Sequence, residues 1–167
     1  MNKKAIISIF VGTVVVIGGL VWLGQPSANI EANQANKNPA PDSLRVEETS
    51  FDFGTISMGN GKVSHVFKVK NAGLEPVTMS KLYTSCMCTS ASITVGVKKF
   101  GPFGMPGHGA IPSIQAILEP DKEAEVEVIF DPAAHGPAGI GRIQRIITIE
   151  NNAGSPMDLS FSALVTP

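Results

Sequence analysis

From Arg45 onward, apolar residues recur at every second position, and this period constrains the fold more than any other feature of the chain. Each apolar run is short and is closed by Gly, Pro, Asn or Asp, and no stretch has the 3.6-residue period of an amphipathic helix. A period of two is typical of a strand with one buried face. The sequence therefore predicts an all-β fold.

Nine runs have the length and composition of strands. They are Arg45–Thr49, Phe51–Ile56, Val63–Lys70, Val77–Tyr83, Ser92–Val95, Ser113–Leu118, Ala124–Phe130, Arg142–Ile149 and Asp158–Val165. Turn residues separate them, for example Asn71-Ala72-Gly73. Short strands at this spacing predict an antiparallel β-sandwich of about seven to nine strands, with strands that follow one another in the chain lying side by side.

The alternation also predicts which side chains face the core. The inward sets are Phe51 with Phe53, Phe67 with Val69, Val126 with Val128 and Phe130, and Ile143 or Arg145 in line with Ile147 and Ile149. Ile146 and Ile147 are adjacent, which indicates either burial of both faces or a bulge. His65 alternates with buried positions and is expected to be a core or edge histidine, whereas His135 is expected to be solvated in a turn.

The first 41 residues have a different composition. Residues 5–23 are 19 residues without a charge, enough at about 1.5 Å per residue to cross the ~30 Å bilayer core. Lys3 and Lys4 precede this segment and no cation follows until Lys37, so the positive-inside rule leaves residues 1–4 in the cytoplasm. We expect a transmembrane signal-anchor helix at 5–23, a flexible stalk at 24–41 and an exported domain at 42–167. A cleaved signal peptide is the alternative.

This arrangement predicts a protein of the cytoplasmic membrane whose domain lies in the periplasm or at the cell surface. The domain carries 10 basic and 13 acidic side chains from Asp42 onward, a net charge of −3, so no nucleic-acid partner is expected. Gly104, Gly107 and Gly109 lack the strand-to-helix context of a phosphate loop, and we expect no nucleotide. The chain contains no G-x-S-x-G or H-E-x-x-H motif, and no enzyme is predicted.

Several motifs resemble a known family when their order and spacing are considered together. They are Phe51-Asp52-Phe53-Gly54-Thr55-Ile56, Phe67-Lys68-Val69-Lys70-Asn71-Ala72-Gly73, Ser85-Cys86-Met87-Cys88-Thr89, Phe130-Asp131-Pro132 and Ile147-Thr148-Ile149-Glu150-Asn151-Asn152. This series resembles the bacterial DUF1573 domains, which are similar to the immunoglobulin-like modules of the ASPM–SPD-2–Hydin and major-sperm-protein type. The resemblance implies an immunoglobulin-like sandwich and a protein-binding or scaffold role. Met87 departs from the glycine usual between the two cysteines.

Cys86 and Cys88 are the most specific candidates for chemistry. In a regular strand, residues i and i+2 lie roughly 6–7 Å apart, farther than a disulfide accepts without a bend. We therefore expect buried, unreactive free thiols, with an oxidised or exchange-active pair as one alternative. The other alternative is a copper or zinc ion held by both cysteines with Met105 and His108; no other cofactor is indicated.

The segment Gly96–Pro112 is rich in Gly and Pro and is too long for a simple connection. Phe100, Phe103, Met105 and His108 would form a binding loop for a protein partner, although a lid over one end of the sandwich fits equally well. Two functional hypotheses follow. The first is a non-catalytic, membrane-anchored binding or scaffold module outside the cytoplasm, and the second is an extracytoplasmic metal-binding or thiol-redox protein that uses the two cysteines.

Overall fold

Ten strands make up most of the described chain. The structure is a computed structural model, and it describes residues 43–167. The strands are β1 (Leu44–Val46), β2 (Ser50–Ser57), β3 (Val63–Asn71), β4 (Val77–Thr84), β5 (Thr89–Val95), β6 (Lys98–Phe103), β7 (Ala116–Leu118), β8 (Glu123–Phe130), β9 (Gly141–Asn151) and β10 (Met157–Thr166). Within residues 43–167 the only helical segments are the 3₁₀ turns Met58–Asn60 and Gly136–Gly139. The all-β prediction is confirmed for this part.

The strands form two five-stranded sheets. One has the order β1-β3-β8-β5-β6 and the other the order β2-β10-β9-β4-β7. The predicted local connection is wrong, because only β5–β6 and β9–β10 are neighbours both in the described chain and in a sheet. The wholly antiparallel order is also wrong, since β2 runs parallel to β10. Alternation along one strand identifies its buried face but carries no information about its partner.

The core lies between the sheets and follows the predicted alternation. Phe67 and Val69 on β3 are fully buried, as are Val126 and Val128 on β8, and these predictions are confirmed. Phe161 on β10 closes the core from the other sheet. Aliphatic and aromatic burial of this kind is the main stabilising contribution to a sandwich.

The aromatic residues near the start of β2 lie at the margin of the core. Phe51 and Phe53 are partly buried and pack against it. The Phe51 ring stacks on His65 with 3.7 Å between ring centroids. His65 Nε2 lies 2.6 Å from Glu48 Oε1, so this partly buried histidine has a partner for its polar atom.

The adjacent isoleucines of β9 produce neither a bulge nor burial of both faces. Ile147 and Ile149 point into the core, whereas Ile146 is 39% exposed on the outer face. Arg145 is partly buried and shares the inward face with Ile147. A guanidinium is therefore aimed toward the interior at one end of the sandwich, and the site described below depends on it.

The first part of the predicted binding loop is a strand. Lys98–Phe103 forms β6, the outermost strand beside β5. The pairing is irregular, with a register shift between Ala91 and Ile93. At Gly101 the φ angle is +112°, and a Cβ would come within 2.9 Å of the Ala91 carbonyl oxygen. A strand with glycine, proline and a shifted register has no clean alternation, which is why the sequence pattern predicted a loop.

The predicted transmembrane helix at 5–23 and the stalk at 24–41 lie outside the described residues. Between residues 43 and 167, no helix is long and apolar enough to cross a membrane.

Candidate functional site

The turn between β4 and β5 contains both cysteines. β4 ends at Thr84 and β5 begins at Thr89, and the Thr89 N–H donates to the Cys86 carbonyl at 3.1 Å. The buried Thr84 hydroxyl lies 3.0 Å from the carbonyl oxygens of both Cys86 and Thr89. These main-chain and hydroxyl hydrogen bonds hold the chain in a tight turn.

Cys86 and Cys88 form a disulfide, and the expected free thiols are wrong. The expectation assumed an extended strand through both residues. In the turn their Cα atoms are only 5.3 Å apart, inside the range that a disulfide bridges. Cys86 is partly buried and Cys88 is 3% exposed.

His135 contacts the first sulfur of this bridge. Asp131 follows β8, and its N–H donates to the Cys88 carbonyl at 2.9 Å. Its carboxylate accepts the Ala133 N–H at 3.0 Å, which closes the next turn. His135 Nε2 lies 3.2 Å from Cys86 Sγ as a result. His135 is exposed, as expected, but it belongs to the cysteine cluster and is not merely solvated.

Arg145 contacts the second sulfur. Its Nε–H donates to Cys88 Sγ at 3.2 Å, and its Nη1 donates to the Gln144 carbonyl at 2.8 Å. Among the carboxylates of residues 43–167, none forms an ion pair with this guanidinium. Its positive charge therefore acts mainly on the buried sulfur, where a charge is screened less than at the surface.

The same cluster decides which residues could hold a metal. Within the described residues, the Cys86 and Cys88 sulfurs and a ring nitrogen of His135 lie within 4.8 Å of one another. Two thiolates and an imidazole are suitable ligands for zinc or copper, but only after the disulfide is reduced. The predicted metal ligand His108 is not part of this group.

Met105 and His108 instead line a groove of about 310 Å³ together with Met87 and Ile111. Met87 also lines a second groove of about 230 Å³, with Cys88, Lys62 and Asp131. Met87 lies at the tip of the cysteine turn and is 54% exposed. The Thr84 N–H donates to the Gly104 carbonyl at 3.1 Å and so holds the segment after β6 beside this turn.

Of the predicted binding residues, two lie elsewhere. Phe100 and Phe103 are on β6, where both rings are partly buried and pack against the core. Lys98 Nζ lies 4.7 Å from the centroid of the Phe100 ring and covers it further. Only Met105 and His108 remain at the surface beside the cysteine turn.

Comparison with known proteins supports part of the resemblance. A family model described as "Protein of unknown function (DUF1573)" matches residues 44–101. The DUF1573 match spans β1 to most of β6 and includes the cysteine turn, but it ends before Phe130-Asp131-Pro132. No curated protein matches the chain.

Solved structures resemble this chain to different degrees. A protein of unknown function from Porphyromonas gingivalis W83 is similar with a TM-score of 0.57 and 13% identity, over 80% of this chain and 51% of that one, so the chain spans about half its length. The PapD-like domain 7 of human CEP192 has a TM-score of 0.44 and 16% identity, over 74% and 85%. The CooA pilin subunit from enterotoxigenic Escherichia coli has a TM-score of 0.42 and 11% identity, over 75% and 99%. At 13% identity, the likeness to the Porphyromonas gingivalis protein is one of fold alone.

Sequence reasoning missed His135 and Arg145 as members of the site. They lie 49 and 57 residues from the cysteines they contact. The nearest signal was the Phe130-Asp131-Pro132 motif, whose aspartate turns the chain back over the cysteines. For Arg145, the only signal was an arginine at an inward position of β9.

Proposed function

We propose that this chain is a DUF1573 protein that acts as a non-catalytic, membrane-anchored protein-binding module outside the cytoplasm. The apolar segment at 5–23 and the lysines before it support the anchor and the orientation. The all-β sandwich supports a binding role, because such domains commonly present their end loops to partners. The observation that carries the proposal is the exposed Met87 between two grooves.

Met87 is suited to contact another protein. A methionine side chain is flexible and polarisable, and exposed methionines are common at protein-binding surfaces. The groove beside it contains the exposed His108 and the half-buried Met105, which provide one polar and one apolar contact. We call the surface formed by Met87, Met105, His108 and Ile111 the tip surface.

The sheet edges are less suited to binding by strand addition. The edge strands β1 and β7 have three residues each. The edge strand β6 contains Lys98, Lys99 and Pro102, and β2 contains Gly54 at a φ of +68°. Short strands, lysines, proline and backbone irregularities all protect edges against pairing with another chain. The tip surface is therefore the better candidate.

The proposal is tested by site-specific photocrosslinking of the full chain in its own cells. A photoreactive amino acid at position 87 or 108 should crosslink the same protein. Leu74 and Val97 are matched controls, because both are more exposed than Met87 but lie in turns at the opposite end of the sandwich. Equal crosslinking at all four positions, or none at 87 and 108, would overturn the proposal.

The predicted orientation has its own test. A reporter enzyme that is active only after export should be active when it is fused after Pro167. If only a reporter that works in the cytoplasm were active at that position, the domain would not be exported.

A further inference from the structure

We infer that the Cys86–Cys88 disulfide is a thiol–disulfide exchange site, in which Cys86 is attacked and Arg145 and His135 stabilise the two products. The inference goes beyond protein binding and does not depend on the tip surface. It rests on the different side chain that contacts each of the two sulfurs.

The attack is directed to Cys86 by the group that contacts the other sulfur. Arg145 donates to Cys88 Sγ, so Cys88 is the sulfur whose thiolate is stabilised when the bond breaks. Exchange is faster when the leaving thiolate is stabilised, which favours attack on Cys86. The incoming thiolate therefore bonds to Cys86.

Arg145 contacts the sulfur that leaves. The Nε–H donor lies 3.2 Å from Cys88 Sγ, and a guanidinium keeps its charge at all physiological pH values. A leaving thiolate gains a charge-assisted hydrogen bond that the neutral disulfide sulfur lacks. An interaction that strengthens as negative charge develops accelerates the step.

His135 contacts the sulfur that is released second. Its Nε2 lies 3.2 Å from Cys86 Sγ on the exposed side of the turn. An imidazole is the side chain best able to give and take protons near neutral pH. His135 can therefore transfer a proton to the Cys86 thiolate and recover one from water.

The reaction balances with a dithiol as reductant. One thiolate of the dithiol attacks Cys86, the Cys86–Cys88 bond breaks, and its electron pair stays on Cys88 beside Arg145. The second thiolate of the dithiol then attacks the dithiol's own sulfur in the mixed disulfide. That S–S bond breaks, and Cys86 leaves as a thiolate. In total, two electrons and two protons pass from the dithiol to the cysteine pair, and the dithiol becomes a disulfide.

The turn is built to persist through this cycle. The Thr89 N–H to Cys86 carbonyl bond and the Thr84 hydroxyl contacts do not involve either sulfur. The Asp131 N–H to Cys88 carbonyl bond is also independent of the bridge. Opening the disulfide therefore leaves both cysteines in place for the reverse reaction.

The rate of reduction of the full chain tests this inference. The chain has only two cysteines, so thiols exposed by dithiothreitol can be trapped with a maleimide and counted by mass. Arg145→Gln should slow the reduction about tenfold, the rate equivalent of one charge-assisted hydrogen bond. Arg142→Gln is the matched control, an exposed arginine on the same strand, and should react like the parent.

Two further variants separate chemistry from folding. Arg145→Lys keeps the charge and should recover most of the rate, which a purely packing role would not predict. His135→Ala should also slow the reduction. Parent-like rates for both Arg145→Gln and His135→Ala, with folding intact by circular dichroism, would overturn the inference.

Two further measurements test the direction of attack and separate this inference from the binding proposal. Reduced glutathione in place of dithiothreitol should give a mixed disulfide on Cys86, visible by mass, because a monothiol lacks the second attacking group. Glutathione found on Cys88 instead would contradict the direction of attack. Arg145→Gln should slow the reduction but leave crosslinking from position 108 unchanged, so either proposal can fail without the other.

Discussion

The two ends of the sandwich close their turns in chemically different ways. At one end, which we call the asparagine end, the fully buried Asn71 donates from Nδ2 to the carbonyls of Glu75 and Leu118, both at 2.9 Å. Its Oδ1 accepts the Gly73 N–H at 2.9 Å. At the other, the cysteine end, a disulfide is contacted by His135 and Arg145.

This difference separates a turn that can only stabilise the fold from a turn that can also react. A buried amide with all its hydrogen bonds satisfied does not change its protonation or exchange a covalent bond. It holds the turn in one conformation. A disulfide, an imidazole and a guanidinium can change covalent state, move a proton or stabilise an anion. The asparagine end therefore maintains the fold, and the cysteine end is the candidate for function.

The largest expected effect is the loss of stability when a core residue beneath the cysteine end is truncated. Phe130 is 3% exposed at the end of β8, and its ring centroid lies 5.3 Å from that of Phe161. Phe130→Ala should lower the free energy of unfolding by about 4 kcal/mol, because it leaves a cavity beneath the turn. Urea unfolding followed by circular dichroism measures this, with the exposed Glu125→Ala as control. Equal, small losses would mean that the inward face of β8 is misassigned.

The asparagine end should be nearly as sensitive. Asn71→Ala removes one acceptor and two donor contacts in a fully buried site, and the two carbonyls and one N–H left behind lose their partners. We expect a loss of about 3 kcal/mol in the same unfolding experiment. Exposed Asn60→Ala should cost less than about 0.5 kcal/mol. If Asn71→Ala were as mild as Asn60→Ala, the asparagine end would not be the structural end.

Opening the disulfide should cost less than losing Asn71. The bridge closes a loop of only three residues, for which chain entropy accounts for about 1–2 kcal/mol. The other hydrogen bonds of the turn are kept. Unfolding with and without a reductant measures the difference, and the Cys86→Ala, Cys88→Ala double variant should not respond to the reductant. A cost above that of Asn71→Ala would assign the bridge a structural role.

The smallest expected effect concerns Met87. The side chain is 54% exposed and lies outside the core, so Met87→Asp should change the free energy of unfolding by less than about 0.5 kcal/mol. Thermal melting by circular dichroism measures this. A drop in Tm similar to that of Asn71→Ala would show that Met87 is a packing residue and would remove the tip surface from consideration.

Most of the strand positions and buried faces could be predicted because they depend on local alternation. Phe67, Val69, Val126 and Val128 are buried where the period of two places them. The same reasoning failed at β6, where Gly101 and a shifted register interrupt the pattern. Alternation predicts a strand only while the backbone remains regularly pleated.

The sequence by itself determined the all-β class and most of the inward residues, and it identified the cysteine pair as a candidate site. Only the tertiary structure decided that β2 pairs in parallel with β10, that the cysteines lie in a turn close enough to bond, and that His135 and Arg145 contact their sulfurs. The physical reason is the range of the forces involved. Strand pattern arises from neighbours two residues apart, whereas this site is assembled by core packing and sheet pairing across 49 and 57 residues of chain.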